Sequence, residues 1–332
     1  MGRPNRVGWF QGKQWGTILE DGTVATPFTY QALERSGDLL IAKQGALYFL
    51  IKQDGERISF GYSFIFPSNG GFLIGQELNP GVGQGFLDQR GKVLALPRYA
   101  GITPPTYGII TARSGSAWGW INQATGLFLA PEMDLAYVQV LTADLVFGVQ
   151  AKQQRVVGFR TNGGLVFDIP ATDWPEVVGM VLKIPGKDGG VRWVDADGKE
   201  VAPLDPRASS IGTSKLINES FYEGGKWGFK DAKGRILVKP ILDRPGAFLN
   251  GLASPVFNGK QGVMDTSGRW TIQPTFESLS EAGPDGWRVG SKDRKSGVWL
   301  RVGPNGDEVT IPGKWSFVEP FDSKGQAIAV EF

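Results

Sequence analysis

The chain repeats itself, and that constrains its fold more than any single motif does. The run Trp227-Gly228-Phe229-Lys230-Asp231-Ala232-Lys233-Gly234 sets a frame. The frame recurs at Trp15-Gly16 ending on Gly22, Tyr48 to Gly55, Gln84-Gly85 to Gly91, Trp118-Gly119 to Gly126, Val157-Gly158 to Gly164, Val191 to Gly198, Gln261-Gly262 to Gly268 and Val298 to Gly306. Successive starts are 33, 36, 34, 39, 34, 36, 34 and 37 residues apart. A proline follows the last glycine by five or six residues in eight of nine units, at Pro27, Pro97, Pro131, Pro170, Pro203, Pro240, Pro274 and Pro312. The chain, 1–332, therefore reads as one repeat domain with units beginning near 12, 45, 81, 115, 154, 188, 224, 258 and 295. A fixed period of this size means a repeat architecture in which each copy buries its neighbour.

Each unit reads as an antiparallel meander. An apolar stretch such as Leu145-Val146-Phe147-Gly148-Val149 is one strand, and Trp-Gly-Phe-Lys-Asp is the next. Asp88, Asp195, Asp231 and Asp265 each stand three residues before a glycine, the signature of a tight turn with Asp first and Gly fourth. The segment running to proline is a third strand, which proline is expected to end for want of an N–H. A short fourth segment, such as Thr275–Leu279, leads onward. No window of a dozen residues keeps a helical apolar period free of Gly and Pro, so almost no helix is expected. In a strand the Trp and Gly side chains face opposite ways. Trp15, Trp118 and Trp227 are expected to fill the core toward one neighbour, while Gly16, Gly119 and Gly228 let the other neighbour approach. Trp120 and Trp193 stand where other units have Phe and are also expected in the core. The fold class is all-β, with nine meanders of about 35 residues stacked on one another. A propeller-like ring is favoured over an open β superhelix. Against closure, both chain ends carry what reads as the same type of strand, Arg6-Val7-Gly8-Trp9-Phe10 and Gln326–Glu331.

The frame resembles that of the bacterial WG-repeat proteins, whose units run roughly Gly-Leu-Ala-x-Val, Gly-Lys-Trp-Gly-Phe-Ile-Asp and Gly-Lys-x-Val-Ile-x-Pro. The likeness is strongest at Lys226–Pro240 and Gly259–Pro274 and clear at Gly12–Pro27 and Ala117–Pro131. The other units keep the spacing but lose the Trp or the Gly. The resemblance implies a β repeat and a bacterial source. It implies no activity, because no catalytic motif comes with it.

Composition excludes several chemistries. The chain has no histidine and no cysteine. Histidine-based triads, thiolate nucleophiles, zinc ribbons, iron–sulfur sites and disulfides are therefore out of reach. Carboxylate-pair hydrolysis and oxygen-ligated cations remain open. The 35 basic and 33 acidic residues nearly cancel, which argues against nucleic acid as partner. No apolar run is long enough for a membrane-spanning helix. The basic start, Met1–Arg6, has no apolar stretch behind it, so no signal peptide is expected. A chain without thiols suits the cytoplasm or the cell envelope and periplasm equally.

Asp195-Ala196-Asp197-Gly198-Lys199-Glu200 resembles the opening of a calcium loop, but the later ligands of that loop are missing. The same positions hold the hairpin turn elsewhere, so a turn is expected and no metal. Gly81-Val82-Gly83-Gln84-Gly85 is glycine-rich but leads into a strand, whereas phosphate loops open helices. Asn218-Glu219-Ser220 is a glycosylation sequon that matters only in a eukaryotic secretory setting. Two features point to recognition. Trp174 sits in the turn signal Thr172-Asp173-Trp174-Pro175, where an aromatic is free to stand exposed. The two longest units carry their excess near Glu132–Tyr137 and Glu281–Asp285, and insertions in repeat proteins map to binding loops. The candidate binding residues are Asp134, Tyr137, Asp173, Trp174, Glu281 and Asp285. The expected function is a non-catalytic, cofactor-free scaffold that binds another protein, in its most specific form an inhibitor or immunity protein that blocks a toxin. The alternative is a carbohydrate-binding or carboxylate-pair glycoside-processing protein.

Overall fold

The structure, a computed structural model, describes residues 12–78, 81–187, 189–203, 218–231, 233–248 and 251–332. Those residues form nine small antiparallel sheets of three or four strands. Among them the helical element is a single 3-10 turn, Arg294–Ser296. The chain divides into two compact bodies. Met1–Gly45, Ile51–Arg57 and Gly212–Phe332 form the first, and Ala46–Leu50 with Ile58–Ile211 the second. The expected strands Arg6–Phe10, with Trp9, lie outside the described residues.

Within the second body, Tyr137–Val140, Leu145–Gln150, Arg155–Arg160 and Leu165–Pro170 make one sheet in chain order. Among the described residues, short fourth segments join the following sheet. Gly101–Ile102 comes after strand Val93–Tyr99 but pairs with Ile109–Ser114. Side chains alternate between two cores. Leu145, Phe147 and Val156 enter one cluster, while their neighbours Val146 and Val157 enter another. Ile109 and Trp120 join that second cluster, and Ile110 and Ile121 a third. These two sheets are thus apolar on both faces, as stacking requires, and each large side chain enclosed contributes about 1.5–3 kcal/mol.

The depth of the motif differs from expectation. The residue two positions after the Trp position is deeply enclosed in unit after unit, at Thr17, Phe86, Trp120, Phe159, Phe229 and Val263. Trp15 is enclosed as well, but Trp118 and Trp227 are only half-buried and pack on the edge of the clusters that hold Trp120 and Phe229. Both positions share one strand face, and the Trp stands nearer the strand's end. The Trp120 indole N–H donates to the Thr161 carbonyl at 2.9 Å, so enclosure leaves no unpaired donor there. Trp193 is half-buried.

The motif glycine has a more local reason than expected. A Cβ at Gly16, Gly85, Gly119, Gly228 or Gly262 would meet a carbonyl oxygen of the adjacent strand of its own sheet. The distances are 2.6 Å to Thr26, 2.6 Å to Ala95, 2.1 Å to Leu129, 2.5 Å to Val238 and 2.6 Å to Ile272. The register explains this. Trp227 pairs with Leu242 but Phe229 with Val238, so extra residues of the outer strand bulge past Gly228. The same shift recurs in the pairs Trp15–Tyr30 and Thr17–Thr26, Gln84–Tyr99 and Phe86–Ala95, and Gln261–Phe276 and Val263–Ile272. Pro27, Pro97, Pro240 and Pro274 sit inside these bulged strands and do not end them. Each of these strands is an edge of its sheet, where a missing N–H costs no ladder bond. Pro131 and Pro312 do fall just past their strands, and Pro170 closes one.

The chain ends share a sheet. Trp15–Leu19 pairs along its whole length with Gln326–Glu331, from Trp15–Val330 to Leu19–Gln326. They supply neighbouring strands of one ladder within the first body. Gln326 locks the ladder. Its amide N–H2 donates to the Thr17 hydroxyl and to the Gln53 carbonyl, each at 2.6 Å. Thr26 Oγ1 donates to that same carbonyl at 2.6 Å. Arg35 donates to the Gln326 carbonyl and forms an ion pair with Asp322.

The Asp-x-x-Gly segments are turns, as read. Asp231 Oδ1 accepts the N–H groups of Lys233 and Arg235 at 2.9 and 3.0 Å. Asp265 accepts those of Ser267 and Arg269, and also the Ser267 hydroxyl. Asp195 Oδ1 likewise accepts from Asp197 and Lys199, so the calcium-like run is a hairpin turn. The Arg235 side chain holds the Asp231 carboxyl below the usual carboxylate range, and the Ser267 hydroxyl does the same most strongly for Asp265.

Two outcomes follow from these contacts. Gly228→Ala is expected to cost about 1–3 kcal/mol from steric overlap, measured by urea unfolding. Gly101→Ala, where nothing lies within 4 Å of the added carbon, should stay within about 0.5 kcal/mol. Because folding depresses the Asp231 and Asp265 pKa values, their stabilisation is complete above the unfolded carboxylate value, near pH 4, and is lost as pH falls through the folded values. Thermal scans should therefore give a Tm with little slope above about pH 5 and a steep acid decline, which the double variant Asp231→Asn, Asp265→Asn makes shallower.

Candidate binding face

Three aromatic rings line up across successive elements of the second body. Trp118 is the second residue of strand Ala117–Asn122, and Tyr137 is the first of Tyr137–Val140. Trp174 lies in the loop before Glu176–Val178. The Trp118 and Tyr137 ring centroids are 6.2 Å apart, and those of Tyr137 and Trp174 5.6 Å, both edge-on at 64° and 65°. Trp118 and Tyr137 are half-buried, whereas Trp174 is 53% exposed. The Arg113 guanidinium lies 6.0 Å over the Trp118 ring. Burial raises the Tyr137 pKa above the ordinary phenol value. Its hydroxyl therefore stays protonated and donates to Gln139 Oε1 at 2.8 Å.

Local sequence holds Trp174 out. The Asp173 side chain accepts the Trp174 N–H at 2.7 Å, and Pro175 keeps Trp174 out of helical backbone geometry. The Thr172 N–H donates to the Pro185 carbonyl at 2.9 Å. Beside the indole is a cleft of about 130 Å³ lined by Val149, Ala151, Gln154, Arg155, Ala171, Thr172, Asp173 and Trp174. Arg155 is engaged there by Asp168, with Nε donating to the carboxylate at 2.6 Å and Nη2 to the carbonyl at 3.1 Å.

Sequence reasoning named Tyr137, Asp173 and Trp174, and the structure brings them together. Asp134 lies on the preceding loop and is paired with Lys152 at 2.6 Å. That loop is anchored, because Leu135 is buried among Val138, Val146 and Trp120. Glu281 and Asp285 belong to the first body and serve arginines there. Asp285 pairs with Arg301 at 2.7 Å, and Glu281 stands 3.7 Å from the buried Arg288. Arg301 also lies over the Trp287 and Phe321 rings and pairs with Glu20. Gln154 and Arg155 were not singled out from sequence. A signal was present, however. Gln154 takes φ 53° in the hairpin tip, where most units place glycine, such as Gly45 at φ 63° and Gly115 at φ 60°.

The fold and the frame define an all-β repeat protein. The family model described as WG containing repeat matches residues 227–260. The chain therefore carries a WG repeat, one full period long, from Trp227-Gly228 to the start of the next copy. No curated protein matches the chain. Among solved structures, one titled as the eukaryotic initiation factor is 8% identical, covers 90% of this chain and 95% of its own, and has a TM-score of 0.33. Apo AztD from Citrobacter koseri is 11% identical over 54% of this chain and 62% of its own, with a TM-score of 0.33. Kluyveromyces lactis Hsv2p is 10% identical over 70% and 81%, with a TM-score of 0.31. Among the described residues, no helix is long and apolar enough to cross a membrane.

The exposure of Trp174 is directly measurable. In acrylamide quenching of tryptophan emission, Trp174→Phe should remove the largest readily quenched fraction. Trp120→Phe should lower total emission without changing that fraction. An unchanged quenched fraction in Trp174→Phe would mean that the indole is not at the surface.

Proposed function

We propose that the chain is a non-catalytic binding module, a stacked β-repeat scaffold that recognises another protein through the face of Trp118, Tyr137 and Trp174. One observation carries the reading: a row of aromatics ends in a half-exposed tryptophan beside a small cleft. Tryptophan, tyrosine and arginine are the residues that dominate protein interfaces, and they work best where packing holds them in place. Here the ring contacts and the Asp173 hydrogen bond hold them before any partner arrives, which lowers the ordering cost of association. The cleft, at about 130 Å³, is below the roughly 300–1,000 Å³ of small-molecule sites. It suits one side chain of a larger partner.

An inhibitor or immunity role, in which this rigid face blocks a toxin or enzyme of a bacterial host, is the most specific form of the proposal. A scaffold without a reactive constellation fits such a task. The balanced charge of the chain supports a protein partner over nucleic acid. A carbohydrate reading has one point in its favour, the exposed indole next to Gln154, Thr172 and Asp173. In its hydrolytic form it requires two carboxylates about 5–9.5 Å apart, and the carboxylate in the cleft lining is that of Asp173.

The test is comparative capture from the native host. The wild-type chain should retain a specific protein. Trp174→Ala should weaken that binding by about 2 kcal/mol, roughly 30-fold, while Tyr222→Ala in the first body should leave it intact. Retention of a glycan and no protein, or equal capture by both variants, would sink the reading.

A further inference from the structure

We infer that the cleft beside Trp174 receives one positively charged side chain, an arginine or lysine of the protein partner, between the Trp174 indole and the Asp173 carboxylate. This rests on the protein-binding reading above and adds the chemistry of what enters.

The charges around the cleft leave one group without a counterpart. Arg155 is neutralised by Asp168, at 2.6 Å. On the same hairpin, Lys152 is neutralised by Asp134, also at 2.6 Å. Asp173 has no basic partner among the described residues. One of its oxygens accepts the Trp174 N–H at 2.7 Å, and with Arg155 held by Asp168 the unpaired charge of the lining is that of Asp173. The aromatic row shows the same asymmetry. Trp118 has a cation of its own chain over it, Arg113 at 6.0 Å. Trp174 has none among the described residues, yet it is the ring most open to solvent, at 53% exposure. A cation near an aromatic face is stabilised by the ring quadrupole, more strongly as water is excluded.

The remaining lining fits the rest of such a side chain. Val149, Ala151 and Ala171 offer apolar surface to an aliphatic stem, which arginine and lysine bury while keeping the charged head near polar groups. The Gln154 amide oxygen and the Thr172 hydroxyl are acceptors for a head group that only donates. A neutral amide side chain would satisfy those acceptors but leave Asp173 unpaired, and an acidic one would be repelled by it.

The probes are acetylated, amidated tripeptides Gly-Arg-Gly, Gly-Lys-Gly and Gly-Gln-Gly, with maltotriose as the sugar control. Each is titrated into the full chain while the Trp174 indole N–H is followed by NMR, its signal assigned by its loss in Trp174→Phe. The arginine and lysine peptides should shift it saturably in the millimolar range, and the glutamine peptide should not. Asp173→Asn keeps an oxygen to accept the Trp174 N–H but removes the charge. It should weaken the arginine peptide about tenfold, as expected for loss of a charge-assisted contact. Raising the salt should weaken binding to the wild type and have less effect on the variant. Equal response to the glutamine peptide, an unchanged affinity in Asp173→Asn, or no saturable shift with either cationic peptide overturns the inference. If Trp174→Ala still abolishes capture of the partner in that case, the protein-binding reading stands without it. A shift caused by maltotriose alone overturns both.

Discussion

The close approach of a carbonyl oxygen to the motif glycine organises the sheets of Gly16, Gly85, Gly228 and Gly262. An outer strand that bulges past its neighbour pushes its backbone into the place of a side chain. Only a residue without Cβ admits it, as at Gly228, where an added Cβ would lie 2.5 Å from Val238 O. The bulge then sets which residues of the outer strand turn inward. Thr26 and Tyr30, Ala95 and Tyr99, Val238 and Leu242, and Ile272 and Phe276 are buried at matching positions. The proline in these strands is compatible with the bulge because an edge strand has N–H groups to spare. It also blunts the edge against pairing with another chain. Glycine, bulge and proline are three expressions of one register.

On that register rests the stacking. Because the strand period is two, a fixed register sends alternate residues to opposite sheet faces, and the clusters around Phe147 and Val146 show both faces filled. The Trp of the motif has a second task. At a strand end it is partly out of the core, and Trp118 uses that position to begin a row of rings continued by Tyr137 and Trp174. The same residue type thus closes the core where it is enclosed, as at Trp15, and shapes a surface where it is not.

Much of this was readable from the sequence, for physical reasons. Turns are set by residues within four positions, so Asp231 and Asp265 could be placed from spacing alone. The strand count followed from the Gly and Pro frame. What escaped depended on the partner strand. Nothing in Lys239-Pro240-Ile241 says that the strand continues through the proline, because that depends on the bulge against Trp227 and Phe229. The greater depth of Trp120 over Trp118 depends on where the strand meets its neighbour. Gln154 and Arg155 reach the Trp174 cleft because Arg155 pairs with Pro170 across the sheet and the Ala171 N–H bonds to the Gln154 carbonyl at 2.8 Å. Glu281 and Asp285 were read as candidate binding residues of a long loop. Arg288 and Arg301, brought beside them by the sheet, engage both.

The ladder between Trp15–Leu19 and Gln326–Glu331 has a bearing on how the molecule comes into being. A ribosome delivers Trp15–Leu19 long before Gln326–Glu331, so Thr17 waits for Gln326 while all the sequence between them is made. Sheets made from consecutive segments can form as they emerge, at low cost in loop closure. This one cannot, and its ladder spans the greatest sequence separation among the strand pairings of the described residues, the kind of pairing that slows folding. Completion of this sheet therefore comes after all the sequence between its two strands has been made. An unpaired Trp15–Leu19 edge is the surface a nascent or truncated chain would offer to chaperones or to a strand from another copy.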